Sequence, residues 1–142
     1  MFKKLLFGGA GTNTVIGDIG ILIMRVFMGL TFCLAHGLMK IQDPTIAITS
    51  ARRLKFPVPE AFGWAATFSE FLGGLLLALG LLTRPSAFFL ACTMIVAAFM
   101  AHGPDPFGKK ELALVYLVAM VFFLCAGGGR FSIDALISKG AK

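Results

Sequence analysis

At 142 residues and 15.1 kDa the chain has material for one domain, 1–142. Hydrophobic residues make up 58% of it, 17 glycines come on top and charged residues are only 14%; a soluble domain this small is mostly surface and cannot hide that much apolar material from water. The composition excludes an ordinary soluble enzyme, a disordered tail and a nucleic-acid module, and the net charge of +6 belongs to Lys and Arg set between apolar blocks, where they face water and lipid head groups.

The chain opens with Phe2-Lys3-Lys4-Leu5-Leu6-Phe7, an apolar stretch too short for a signal peptide and broken by Gly8 and Gly9. Residues 1–17 are therefore expected to be retained and to lie at the membrane surface. Four apolar blocks follow, at Ile19–Leu38, Ala61–Leu82, Ser86–Ala101 and Leu112–Ala126. A spanning helix takes about 20 residues, with a range of about 17–25. The first two blocks meet that length, and the other two reach it with His102, Glu111 and Gly127. In hydrocarbon every backbone N–H and C=O needs an internal partner, which makes these blocks helices. The alternating polarity of barrel strands is absent. The expected fold is all-α, a four-helix transmembrane bundle.

The connections add detail. Asp43-Pro44 starts a short interfacial helix that runs to about Leu54, before Pro57 and Pro59. Thr83-Arg84-Pro85 alone separates the second and third blocks, so those helices form a tight antiparallel pair, with Pro85 in a first turn where its missing N–H is not needed. Gly127-Gly128-Gly129 stops the fourth helix. Ser132 then caps a short amphipathic C-terminal helix carrying Ile133, Leu136 and Ile137, with Arg130 and Asp134 spaced i, i+4 for a salt bridge. Lys and Arg divide equally between the two sides of such a bundle, so loop charge selects no orientation.

Arg25 sits well inside the first block, where an unpaired Arg costs about 2.5–3.5 kcal/mol on insertion scales. At about 100° per residue Asp18, Arg25, Gly29, His36 and Lys40 share one face, interrupted by Leu22 and Phe32. Glu70 lies near the middle of the second block with Gly63, Ala66, Thr67, Gly73 and Gly74 around it. Antiparallel packing puts Glu70 at a depth between Arg25 and His36, within reach of a long Arg side chain, so either an Arg25–Glu70 ion pair or a hydrogen-bonded Glu70–His36 contact is expected. Gly29, Gly73 and Gly74 are the packing residues, because small residues let backbones approach in lipid. On the third helix Ala87, Ala91, Ala98 and His102 share a face, His102 near the interface. Candidate ligand-binding residues are Arg25, His36, Glu70 and His102, weighed against a buried polar network that only fixes packing. Glu111 reads as an acid at a helix start, and Trp64 and Tyr116 as packing aromatics. Cys33, Cys92 and Cys125 form no CxxC or Cys/His cluster; they read as buried small hydrophobes, and no metal site is expected.

The order and spacing of several segments resemble the DoxX family of small four-helix membrane proteins. They are Arg25-Val26-Phe27-Met28-Gly29-Leu30 through His36-Gly37-Leu38-Met39-Lys40, then Glu70-Phe71-Leu72-Gly73-Gly74-Leu75-Leu76, then Gly80-Leu81-Leu82-Thr83-Arg84, then His102, and finally Gly129-Arg130-Phe131-Ser132-Ile133-Asp134. The resemblance covers about Gly17 to Leu136. At Leu54-Lys55-Phe56-Pro57 the chain departs from it, since relatives place a Gly before the aliphatic-Pro pair. The family takes its name from a subunit associated with a terminal quinol oxidase. The resemblance implies a multi-pass protein of the bacterial cytoplasmic (inner) membrane, accessory to respiratory or thiol-stress redox complexes, and no catalytic residue. The chain has no haem-ligand pair at mid-membrane, no flavin or nicotinamide fingerprint and no metal cluster, so it is not expected to be catalytic on its own.

The function expected from these readings is a non-catalytic accessory subunit of a quinone-linked membrane redox system. Its Arg25–Glu70–His36 cluster organises the bundle and is a candidate site for a quinone-like head group. Membrane lipid, redox-complex subunits and further copies of the chain are the expected partners. Two alternatives stand beside it. One is a small carrier or chaperone for an apolar or anionic molecule, which needs a water-accessible cavity reaching the charges. The other is a purely structural membrane partner built on Gly73-Gly74 contacts.

Overall fold

A computed structural model describes residue 12 and residues 14–139. Most of the expected surface segment at 1–17 lies outside the described residues, and its last residues are already helical. Among the described residues the chain is helical with no strand. Three helices are long and apolar enough to cross a membrane: α1 at Val15–Gln42, α3 at Pro59–Leu79 and α4 at Thr83–Ala101. The short α2 spans Thr45–Arg53, a fourth long helix α5 spans Phe107–Ala126, and α6 spans Ile133–Lys139.

The helix ends depart from the apolar blocks for local reasons. α1 starts at Val15 because the Thr14 hydroxyl accepts from the Gly17 amide at 3.2 Å. It runs past Leu38 to Gln42, which keeps Lys40 in the helix. α3 stops at Leu79 because the chain reverses over Gly80–Leu82, with Gly80 at φ 68° and Leu82 at φ 50°. α5 begins at Phe107, ahead of its apolar block, since Lys109, Lys110 and Glu111 are good helix formers even though they are not apolar. Glu111 is therefore past the first turn, which corrects its reading as an acid at a helix start.

The connecting elements match their signals. The Asp43 carboxylate accepts from the Thr45 amide at 3.0 Å at the head of α2. Pro85 lies in the first turn of α4. α5 ends at Gly127-Gly128-Gly129, with Gly127 at φ 74° and Gly129 at φ 75°, and the Ser132 hydroxyl accepts from the Ala135 amide at 3.1 Å to start α6. After α2, Lys55 takes a left-handed φ of 59° immediately before Phe56-Pro57. That is a conformation glycine adopts without cost, at the position where the chain departs from the family resemblance.

α1 and α3 pack antiparallel along small residues. A Cβ on Gly74 would fall 2.7 Å from the Cys33 amide and 2.8 Å from the Gly29 carbonyl oxygen, and one on Gly37 would fall 2.5 Å from the Phe71 backbone. Gly29 and Gly74 thus act as the expected contacts. Gly73 does not: its Cβ would find nothing nearer than the Leu90 side chain at 3.6 Å. The core holds Phe32, Leu77, Leu90, Ala98, Met120 and Phe123, all fully buried. Outward surfaces carry Ile23, Phe27, Leu34, Phe99 and Val118, an apolar exterior suited to lipid. Each of the three membrane-length helices contains a π-helical stretch, at Thr31–Gly37, Ser69–Gly73 and Val96–Ala101. Such wide turns are rare and gather at functional sites.

Candidate functional site

Two clusters of buried polar groups stand at opposite ends of the α1–α3 pair. At the Gly80–Leu82 turn, the Arg25 guanidinium donates to the Leu77 carbonyl at 3.0 Å, the Ala78 carbonyl at 2.7 Å and the Phe131 carbonyl at 2.8 Å. The Asp134 carboxylate accepts from the amides of Leu82 at 2.8 Å and Thr83 at 2.9 Å, and the Asp134 amide donates to the Gly80 carbonyl at 2.8 Å. Both side chains are 1% exposed. Two expectations are corrected here. Arg25 does not pair with Glu70, because Gly29 sits level with Gly74 and Ala78 and Arg25, one turn earlier, reaches only the end of α3. Asp134 does not turn back to Arg130, because the two amides at the start of α4 hold it, and Arg130 stays exposed.

At the other end, Glu70 pairs with Lys40, Oε2 to Nζ at 2.5 Å, with the carboxylate side chain 4% exposed and the ammonium side chain 22%. Glu70 lies in the π-helical stretch of α3, and Lys40 follows the π-helical stretch of α1. Gly37 sits against Phe71, which brings the last turns of α1 level with Glu70. The pair lines a cavity of about 360 Å³ beneath α2. Apolar side chains make most of its wall, among them Ala47, Leu54, Phe62, Ala66, Phe89 and Val96. Ser50, Ser69, Thr93 and Cys92 complete it, with the Thr93 hydroxyl donating to the Ser69 hydroxyl at 3.0 Å. Phe62 stacks on Phe56, ring centroids 4.4 Å apart, at the α2 side of the cavity. An ion pair in the wall of a mostly apolar hollow can orient a flat polar molecule by hydrogen bonds while the apolar walls take its faces.

The remaining candidates lie elsewhere. The His36 ring packs edge-on to Tyr116 at 5.8 Å and near Phe32 at 6.2 Å, not against Arg25 or Glu70. His102 lies in the loop after α4, its Nδ1 2.9 Å from the Asp105 carboxylate. That hydrogen bond, more than the neighbouring lysines, holds the Asp105 carboxyl below its ordinary range. Cys33 is buried, but Cys92 and Cys125 are exposed, correcting the reading of all three as buried. Among the described residues no group of three His, Cys, Asp or Glu could hold a metal ion. Sequence reasoning left Lys40 and Asp134 out of the site. Lys40 stood on the polar face with Arg25 and His36, but its partner depended on the relative register of α1 and α3, which one chain's periodicity does not carry.

The DoxX family model matches residues 20–103. The chain is 31% identical over 126 residues to "Putative oxidoreductase CatD" of Bacillus subtilis, covering 88% of this chain and 92% of that one. It is 32% identical over 126 residues to "Inner membrane protein YqjF" of Escherichia coli, covering 86% and 95%. It is 30% identical over 129 residues to an uncharacterised Haemophilus influenzae protein, covering 85% of each. No solved structure matches significantly. The match to the family model and the near full-length relatives agree with the membrane-length helices, and this chain belongs to the DoxX family of membrane proteins.

Proposed function

We propose that the chain is an accessory subunit of a quinone-linked redox system in the bacterial cytoplasmic membrane, and that the cavity beneath α2 receives a quinone-like head group. In this reading α5 joins α1, α3 and α4 as a fourth span, and α2 lies at the interface above the cavity. Lys40 and Glu70 supply the polar contacts, the ammonium to a quinone oxygen and the carboxylate to a quinol hydroxyl. In this reading electrons come from and go to partner subunits. His36, His102 and Arg25 shape and stabilise the bundle around the site.

The observation that carries this reading is a nearly buried ion pair facing an apolar cavity of head-group size. Intramembrane ionisable groups are expensive and mark binding sites by default. The relative named as an oxidoreductase and the one named as an inner membrane protein support the redox and membrane parts of the proposal. Binding of a short quinone to purified protein is the test. Glu70→Gln and Lys40→Met should each weaken it about tenfold, the worth of one charge-assisted hydrogen bond. Unchanged affinity in both variants removes the site.

The same cavity favours a second reading, a carrier for an apolar or anionic molecule. Gentle purification separates the two: a stoichiometric redox enzyme alongside the chain supports the accessory role, whereas the chain alone, as single or multiple copies with bound small molecule, supports the carrier.

A further inference from the structure

A second hollow of about 370 Å³ runs between α3 and α4. It shares Ala65, Ser69 and Phe89 with the cavity beneath α2, so the two meet at a common wall. From there it follows Leu72 and Leu76 of α3, opposite Pro85 of α4, towards Leu82 in the reversing turn. Ala65 to Leu76 is roughly 17 Å at the rise of a helix. Polarity falls along this path. The cavity has Lys40, Glu70 and three hydroxyl side chains; the groove has Ser69 at the junction and Ser86, which is 3% exposed. Gly73 lines the groove, and its missing Cβ is not demanded by packing, since the nearest neighbour would be the Leu90 side chain at 3.6 Å. Unlike Gly74, where a Cβ meets backbone, Gly73 could carry a Cβ at ordinary contact distance, with the Ser86 carbonyl oxygen of the groove wall 3.9 Å away.

Resting on the cavity as a quinone site, we propose that its ligand is two-part: the head lies by Lys40 and Glu70, and a long isoprenoid-type tail leaves through the groove between α3 and α4. A tail gains little from the groove as a solvent, because bilayer hydrocarbon is equally apolar. The groove acts instead as the exit that lets a tailed molecule seat its head without threading hydrocarbon past water. It therefore selects by shape. A tailed quinone needs it, and a tail-less one with the same ring does not.

Cys92, exposed in the cavity wall, is the reporter. The probes are fully substituted benzoquinones, which have no ring position open to thiol addition: duroquinone, and a counterpart with a decyl chain in place of one methyl. In Cys125→Ser protein in lipid nanodiscs, both should protect Cys92 from a maleimide. In the added variant Gly73→Leu the decyl compound should bind about tenfold more weakly, with duroquinone within about twofold of its former affinity. Failure of duroquinone to protect Cys92 in the parent overturns the cavity reading and this proposal with it. Equal binding of both compounds in Gly73→Leu overturns the tail route alone. Should Gly73→Leu lose both, a decyl quinone bearing a terminal diazirine is photolysed on unaltered protein. Adducts on Leu76, Leu82 or Pro85 support the route, and adducts confined to outward residues such as Phe99 or Val118 overturn it. Groove labelling by a diazirine phosphatidylglycerol that the decyl quinone does not displace assigns the groove to phospholipid and also overturns it.

Discussion

Arg25 and Asp134 grip opposite sides of one turn: the guanidinium holds the carbonyls where α3 ends, and the carboxylate holds the amides where α4 begins. Each charge meets the helix terminus whose dipole attracts it, and the two attract each other. Helix ends in a low-dielectric setting otherwise leave backbone groups without partners.

Replacing Arg25 with Met removes the charged donor from three carbonyls, although the Leu77 carbonyl keeps the Gly80 amide at 3.0 Å, and leaves Asp134 without its opposite charge. The expected loss of stability is about 3–5 kcal/mol, from charged hydrogen bonds lost at about 1.5–3 kcal/mol each, offset in part by burying an apolar side chain in place of an ion. Asp134→Asn, which keeps shape and part of the hydrogen bonding, should lose about 1–3 kcal/mol. Unfolding in detergent, followed by circular dichroism, measures both. Because the groups act on one turn, the double variant should lose less than the sum.

Lys40 and Glu70 give a second cycle. Lys40→Met leaves a carboxylate that is nearly buried and unpaired, so it should destabilise more than Glu70→Gln. Adding Glu70→Leu to Lys40→Met should recover stability, because removing both charges of a buried pair costs less than removing one. Quinone binding should not recover in that double variant. Thermal melts and binding isotherms on the same samples separate the two effects.

The two adjacent glycines should respond oppositely. Gly74→Ala pushes a methyl to within 2.7 Å of the Cys33 amide and should destabilise by about 1–3 kcal/mol as an overpacked contact. Gly73→Ala meets only ordinary van der Waals distance and should be neutral or gain up to about 1 kcal/mol from helix preference. Melting temperatures decide it, and equal losses would contradict the packing described.

Lys55→Gly should stabilise modestly. The side chain holds φ 59°, at a cost of roughly 1–2 kcal/mol that glycine does not bear, partly offset by the greater freedom of glycine in the unfolded chain. A small rise in melting temperature is expected, and a fall would show that the Lys55 side chain contributes more than its backbone strain costs.

Asp105 sets a pH dependence at the loop after α4. Its carboxyl lies below the ordinary 3.8 chiefly through the hydrogen bond with His102. A carboxyl depressed in the folded state stabilises above its unfolded value and loses that contribution as pH falls through the folded one. His102→Ala should move the Asp105 titration upward, read from carboxyl carbon chemical shifts, and reduce acid sensitivity of the loop below about pH 4.

Much of the architecture was legible in the residues. Hydropathy located the long helices, Asp43, Pro85 and Ser132 marked helix starts, and the glycine run marked the end of α5. The polar face of α1 was legible because Asp18, Arg25 and Gly29 do face inward. Partner assignment was not. Periodicity ranks residues around one helix but says nothing of how far a neighbour slides along it, and a shift of about two turns exchanged Glu70 for the end of α3 as the target of Arg25. The π-helical stretches deepened the problem by adding a residue per wide turn that a fixed angle ignores. The cavity was unreadable for another reason: its walls come from α1, α2, α3 and α4 together, and each contributes residues that look like ordinary packing.

The clasp around Gly80–Leu82 orders events during biosynthesis. Phe131 and Asp134 leave the ribosome after every long helix has been made, yet they complete a hairpin whose own residues emerged dozens of codons earlier. Translation must therefore deliver α3 and α4 into the bilayer with their connecting bend still unsecured, and the segment that follows α5 locks it.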